Sequence, residues 1–404
     1  MTDSAPVRFL DRTTPPHIAT LVLLTGTASM SMTMFLPSLP NMASWFQAEY
    51  WIVQLSVSLY LAVNGLLQIV VGPISDRYGR RPVILASLVL FVLATLGTLA
   101  APTIELFLFF RMCQSVVVAA LVLSRAAVRD MHGPERAASM IGYVTMGMAL
   151  VPMIAPMVGG ALDAMFGWQA SFVFMLVFAL AVLALSWSDL GETATNRPAS
   201  FRAQFAQYPE LLSSRRFWGY CAAAAFASGV FFAFLGGAPF VGAQVYGLSA
   251  AALGVYFGFP AVGYALGNFL SGRYSVRLGI NRMVFYGAAI CLGGLLAMGA
   301  SILSGLNHPA VFFGFFFFTG IGNGMLLPNA TSGMLSVRPR LAGSASGLGG
   351  AITIGGGAAL SALAGALLVP GSGPWPLLVI MIATAFASLL SILYVMWRER
   401  TLGL

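Results

Sequence analysis

GPISDRYGRRP, from Gly72 to Pro82, separates two long apolar runs and decides how the chain is read. Gly72 and Pro73 are expected to end one helix, and Gly79 to permit a tight reversal. Asp76 can cap a helix end or pair with a nearby arginine, while Arg77, Arg80 and Arg81 hold the loop to one membrane face. A partial copy, Ser271-Gly272-Arg273-Tyr274, follows 196 residues after Ser75-Asp76-Arg77-Tyr78, at the matching point of a second apolar run. Chance rarely places two such loops in register, so the chain is expected to contain two related halves.

Composition agrees with a membrane setting. Of 404 residues, 59% are hydrophobic and 8% are charged, and the mean hydropathy is +0.88. A soluble domain carries about a quarter charged residues. The net charge of +8 comes wholly from arginine, since lysine is absent. In a soluble protein that balance would raise nucleic acid as a partner; here it fits basic loops at one membrane face, and no nucleic-acid role is expected. Cys113, Cys221 and Cys291 lie in apolar runs and imply no disulfide framework. The polar opening MTDSAPVRFLDRTTPP lacks the apolar centre of a signal peptide, so the first long run is expected to stay as a membrane helix.

A crossing helix needs about 20 mostly apolar residues. Twelve runs qualify: 17–39, 50–72, 82–101, 103–127, 137–162, 167–187, 216–240, 249–272, 281–304, 308–334, 342–369 and 374–397. With this count, nineteen of the twenty arginines fall in the two tails and the loops of one side, from Arg8 and Arg12 to Arg398 and Arg400. A miscounted span would scatter them. The bias predicts that both termini are cytoplasmic. The polar segment 188–215, with Pro198, Pro209 and the helix-friendly piece FRAQFAQY, is expected to link a six-span bundle at 1–187 to another at 216–404.

The twentieth arginine, Arg111, sits inside span 4 in FFRMCQSVVVAA. An unpaired guanidinium in lipid costs several kcal/mol, about 3 or more. Residues 111, 114, 115, 118, 122, 125 and 129 share a helix face and read Arg, Gln, Ser, Val, Val, Arg, Arg. That face is expected to turn toward the protein's interior or a wet cavity, with Arg111 facing the central cavity, hydrated and hydrogen-bonded to Gln114 or to groups of span 1. Glu105 lies six residues away, about 9 Å along the axis and about 600° around it, so the two point differently.

The loop matches the signature of the major facilitator superfamily, and Arg111-x-x-Gln114 resembles the family's span 4 signature. Ser115 and Val117 stand where relatives often carry glycine. Span 5 holds Pro152, Ala155, Pro156, Gly159 and Gly160, similar to the signature of antiporters, with Ala155 in place of its first central glycine. MFLPSLPNM (Met34–Met42), APFVGAQVYGLS (Ala238–Ser249) and LLPNATSG (Leu326–Gly333) resemble the Bcr/CflA drug exporters over almost the whole chain. The resemblance implies an all-α membrane protein of the major facilitator fold, with twelve transmembrane helices in two pseudo-symmetric six-helix bundles. It implies a secondary transporter working as a monomer in a bacterial inner membrane. Expected activity is export of bicyclomycin- or chloramphenicol-like drugs by alternating access, with proton antiport. The alternative is a facilitator or exporter of a small anionic metabolite anchored by Arg111.

The same resemblance implies gate residues at Gly72, Asp76, Arg77, Gly79, Arg80, Arg81, Pro152, Pro156, Gly159 and Gly160. Where many relatives carry a span 1 aspartate this chain has Thr33, which cannot titrate. Proton coupling would then fall to Glu105 or Asp163 at the outer end and to Asp76 or Asp130 at the inner end. His17, His132 and His308 sit at span ends, where interfacial roles are expected. Candidate substrate contacts are Arg111, Gln114, Met32, Thr33 and Phe35, with Gln54, Ser58, Asn64 and Gln68 of span 2. Phe231, Phe234, Tyr256, Asn268, Asn323 and Asn329 complete the set. Methionines and rings adapt to varied ligands, and buried amides require partners. Without lysine there is no P-loop, and neither HExxH nor GxSxG occurs, so no enzyme, metal or cofactor is expected.

Overall fold

The computed structural model describes residues 7–131, 134–194, 208–338 and 342–403. His132 and the piece Phe201–Gln207 lie outside the described residues. Helices α1 (Ile18–Phe46), α2 (Tyr50–Tyr78), α3 (Arg80–Ala100), α4 (Ile104–Val128) and α6 (Gln169–Asp189) are each long and apolar enough to span a bilayer. So are α7 (Arg215–Val245), α8 (Ala250–Leu278), α9 (Ile280–Leu303) and α10 (Pro309–Val337). Between α4 and α6 runs α5 (Pro134–Phe166). Two further helices, α11 (Ala342–Leu367) and α12 (Trp375–Leu402), complete the twelve. A short helix, Tyr208–Leu212, precedes α7. Helices α1–α6 pack as one bundle and α7–α12 as a second, joined where α2 meets α11 and α5 meets α8.

Several helices outrun their apolar cores. The expected stop at Gly72-Pro73 does not occur: α2 continues to Tyr78 with Pro73 inside it, and Gly79 at φ +100° ends it. Pro73 removes one backbone hydrogen bond, while five further residues keep theirs, so the helix persists. Its counterpart α8 runs to Leu278 and stops at Gly279, φ +82°. Both glycines occupy backbone that a side chain would strain.

Local breaks mark the polar centre. The first helix of α1 ends at Thr33 and resumes through a tight 3-10 turn at Leu36–Ser38, where Pro37 and Pro40 withhold donors. In α4 a 3-10 turn at Ser115–Val117 follows directly after Gln114.

The core is distributed unequally along the membrane axis. At the end bearing the termini, each bundle has its own apolar cluster: Leu24, Leu88 and Leu123 in the first, Phe217, Leu326 and Ile392 in the second. At the far end, one cluster draws on both bundles, including Phe35, Phe107 and Phe172 with Phe234, Phe240 and Phe313.

Candidate functional site

Arg111 is only 1% exposed: the guanidinium expected to sit hydrated in a central cavity is instead buried among residues of α1, α2 and α4. Its Nη1 donates to Gln114 Oε1 (2.7 Å) and Ser31 Oγ (3.1 Å), and its Nη2 donates to the Ser31 carbonyl (2.6 Å). Ser31 lies in the last turn of the helix ending at Thr33, where carbonyls run out of N–H partners. Gln114 in turn donates to Thr95 Oγ1 of α3 (2.8 Å), so one chain of bonds ties α1, α4 and α3. The guanidinium carbon sits 4.4 Å from the centre of the Phe35 ring and 4.0 Å from that of Tyr60. Desolvated cation–π contacts of this kind are worth about 2 kcal/mol.

Among the described residues, no carboxylate pairs with Arg111; the ion pairs present involve Arg80, Arg216 and Arg338. Its Nε and the Tyr60 hydroxyl, both buried, have no hydrogen-bond partner among the described residues. Together they form a cationic, aromatic-walled centre with spare donors. Sequence reasoning missed Tyr60. It lies about 200° around α2 from Ser58, so its position opposite the polar face was the available signal.

The polar face of α2 packs on the second bundle. Gln54 donates to the Ser361 carbonyl (2.7 Å) and hydroxyl (2.8 Å). Gly65 meets the α11 backbone at Ala351, and Gln68, beside Gly350, donates to Asn64 (2.9 Å). Ser58 is buried without a partner among the described residues. The face predicted to line a cavity thus forms the α2–α11 contact.

The remaining candidates divide between contact and packing. Met32 is half-buried, and Thr33 returns its hydroxyl to the Ser29 carbonyl (3.1 Å). Phe234 is fully buried and stacks on Phe316, with ring centres 3.8 Å apart. Phe231 and Tyr256 are half-buried, and Tyr256 stacks on Phe313. Asn268 donates to the Tyr264 carbonyl (2.9 Å). Asn329 bonds Ser271 Oγ (2.8 Å) and so joins α10 to α8. Asn323 is buried, and its Oδ1 has no partner among the described residues.

The acids do not gather at Arg111. Glu105 is exposed in the first turn of α4. Asp163 is buried at the far end of α5 and accepts from Asn41 Nδ2 (2.6 Å). At the opposite end Arg80 bridges Asp76 (2.5 Å) and Asp130 (3.1 Å). Glu192 accepts the Arg80 and Arg81 amides (2.8 and 3.2 Å), at the start of α3. The Arg81 side chain holds the Leu190 carbonyl (2.8 Å). Arg77 is exposed and lies 5.5 Å over Tyr78, and a Cβ on Gly72 would meet open space.

The α5 glycines close the far end. A Cβ on Gly159 would collide with the Met34 carbonyl of α1, and one on Gly160 with the Ala250 carbonyl of α8. From the other side, a Cβ on Gly254 would strike the Pro156 carbonyl. Pro152 and Pro156 both lie inside α5. Tyr50 donates across the bundles to the Gly236 carbonyl (2.8 Å).

Two matched six-helix bundles, the first with a cation buried inside it, are the architecture of a membrane carrier. The major facilitator superfamily profile matches residues 21–360, and the chain belongs to that superfamily. It is 30% identical to Multidrug resistance protein D of Escherichia coli (strain K12), over 89% of this chain and 90% of that protein. It is 28% identical to the Chloramphenicol resistance protein of Pseudomonas aeruginosa, over 91% and 88%. The Bicyclomycin resistance protein homolog of Haemophilus influenzae is 27% identical, over 88% and 90%. In fold, the chain resembles a peptide transporter solved with sulfate, at a TM-score of 0.77 and 13% identity, covering 97% of each chain. It also resembles a bacterial homolog of the lysosomal transporter Spinster, solved inward-facing and occupied. There the TM-score is 0.71 at 17% identity, covering 95% of this chain and 96% of that one. The protein is thus a multi-pass transporter of the superfamily and not an enzyme.

Proposed function

We propose that this transporter exports small amphipathic drugs, of the bicyclomycin or chloramphenicol type, across a bacterial inner membrane in exchange for protons. The bundles 1–187 and 216–404 rock about the segment 188–215 as a monomer, with both termini cytoplasmic. The observation that carries the reading is the unequal core: one apolar cluster at the far end is shared by both bundles, while toward the terminus end each bundle keeps its own. With the termini inside, such a core suits a carrier sealed outside and ready to part inside. The resistance relatives support the substrate class.

In this reading Arg111, Tyr60 and Gln114 offer donors to a drug carbonyl, and Met32, Phe35, Phe231 and Tyr256 supply its apolar walls. Thr33, Phe234, Asn268, Asn323 and Asn329 border the path, while Gln54, Ser58, Asn64 and Gln68 hold the α2–α11 seam that must part for it to open. Asp163 takes the proton from outside, with Glu105 at the mouth, and Asp76 and Asp130 release it inside as Arg80 shifts between them. Efflux of a fluorescent or radiolabelled drug from a pump-deficient host, with and without a protonophore, tests the coupling. Efflux that persists after the proton gradient collapses removes antiport.

That no carboxylate pairs with Arg111 among the described residues favours a second reading, export of a small anion that supplies the charge. Arg111→Ala would then abolish anion transport and spare neutral drugs.

A further inference from the structure

The second bundle carries a basic bowl that the transport path does not use. It opens at the terminus end between α7, the α8–α9 turn and α12, with a cavity volume of about 770 Å³. Arg216, Arg277, Arg282 and Arg400 line it, against one acid, Glu399. Glu399 is already engaged: it pairs with Arg216 and accepts from Tyr220 (3.1 Å) and Asn281. Arg277, Arg282 and Arg400 are exposed and have no ion-pair partner among the described residues.

The matching place in the first bundle shows what such a bowl takes. There the chain's own Glu192 seats its carboxylate beside Gly79 and accepts two amides at the start of α3. Among the described residues no side chain is seen to accept the first amides of α9, and a Cβ on Gly279 would meet nothing within 4 Å. The second bundle has no acid to spare, since Glu399 is the only one after Glu210. Val276, 94% exposed at the rim, gives the bowl an apolar edge.

We propose that this bowl binds a phosphate-bearing anion, which takes the place that Glu192 holds in the first bundle. The anion is a membrane phospholipid headgroup or free phosphate. Full-length protein in detergent is titrated with dioleoyl phosphatidylglycerol, dioleoyl phosphatidylcholine and inorganic phosphate, read by native mass spectrometry and thermal unfolding. Phosphatidylglycerol should bind and stabilise over phosphatidylcholine. Its affinity should fall about fivefold for each arginine removed in Arg277→Gln, Arg282→Gln and Arg400→Gln. Arg273→Gln, one helical turn before Arg277 in α8 and outside the bowl, should bind as wild type does. Inorganic phosphate that binds alone with the same arginine dependence, while the lipid shows no preference, assigns the site to a soluble anion. Binding equal for both lipids and absent for phosphate overturns the proposal, as does a loss with Arg273→Gln equal to the bowl variants.

Discussion

Residues 1–187 hold nine arginines and eight acids, while residues 216–404 hold eight arginines and the single acid Glu399. The first half spends its charges on internal bonds: Asp76 and Asp130 on Arg80, and polar groups of three helices around Arg111. The second packs its centre with rings, Phe234 on Phe316 and Tyr256 on Phe313. A ring stack tolerates small slides because dispersion is weakly directional. A bonded guanidinium does not, because every lost partner leaves a buried polar group unmatched. One fold thus holds a directional bundle against an adaptable one.

The sharpest way to break that contrast is Arg111→Met. It strands the Ser31 carbonyl and the Gln114 amide oxygen, at about 1–3 kcal/mol for each unsatisfied group. Drug efflux should fall by at least ~30-fold, since the two groups together cost about 2 kcal/mol or more and each 1.4 kcal/mol is worth about tenfold. Asn323→Leu, the counterpart in the second half, should lose less than ~10-fold, because it removes a carbonyl already unpartnered. Equal losses in the two variants would end the distinction between the halves.

Next in size is the terminus end. Glu399→Gln disturbs bonds to Arg216, Tyr220 and Asn281 together. It should cost about 1.5–3 kcal/mol, the worth of charged hydrogen bonds, seen as a drop of several degrees in thermal unfolding. Glu192→Gln weakens one carboxylate at a helix start and should cost about 0.3–1 kcal/mol. A larger drop for Glu192→Gln would mean that the first half, not the second, depends on a single acid.

A third variant probes the seam. Gln54→Ala removes two bonds to Ser361, each worth about 1 kcal/mol net, so far-end opening should rise by roughly thirtyfold. Distances between spin labels on the far ends of α2 and α11 report it. An unchanged distribution would show that apolar packing alone closes that end.

Much of this was legible in the residues. Hydropathy and arginine placement gave twelve spans, and helical spacing turned Arg111 toward Gln114 and α1. What local pattern could not supply were partners distant in the chain. Gln54 meets Ser361, 307 residues away, and the α2 face that reads as a cavity wall is a helix contact. Asp163 reaching Asn41 across 122 residues is equally invisible to spacing. The 3-10 turn at Ser115–Val117 escaped because its residues are as apolar and helix-compatible as their neighbours. Pro73 misled for the opposite reason, since a breaker by type sits inside a helix with enough other bonds to continue.

One substitution at two matched glycines separates the halves most cleanly. Gly79 and Gly279 end α2 and α8 with φ of +100° and +82°. Alanine at either should cost about 1–2 kcal/mol in left-handed backbone. At Gly279 that is the whole cost, since the new methyl meets nothing within 4 Å. At Gly79 the methyl also strikes the Glu192 carboxylate, which must leave the Arg80 and Arg81 amides to make room. The Gly79→Ala protein should therefore unfold at a lower temperature than Gly279→Ala, by a further ~1 kcal/mol for the displaced carboxylate. In the double variant Gly79→Ala with Glu192→Gln, that extra loss should shrink, because the bond to be displaced is already weakened. Full additivity would mean that the carboxylate does not hold the turn, and the two ends would then differ in charge alone.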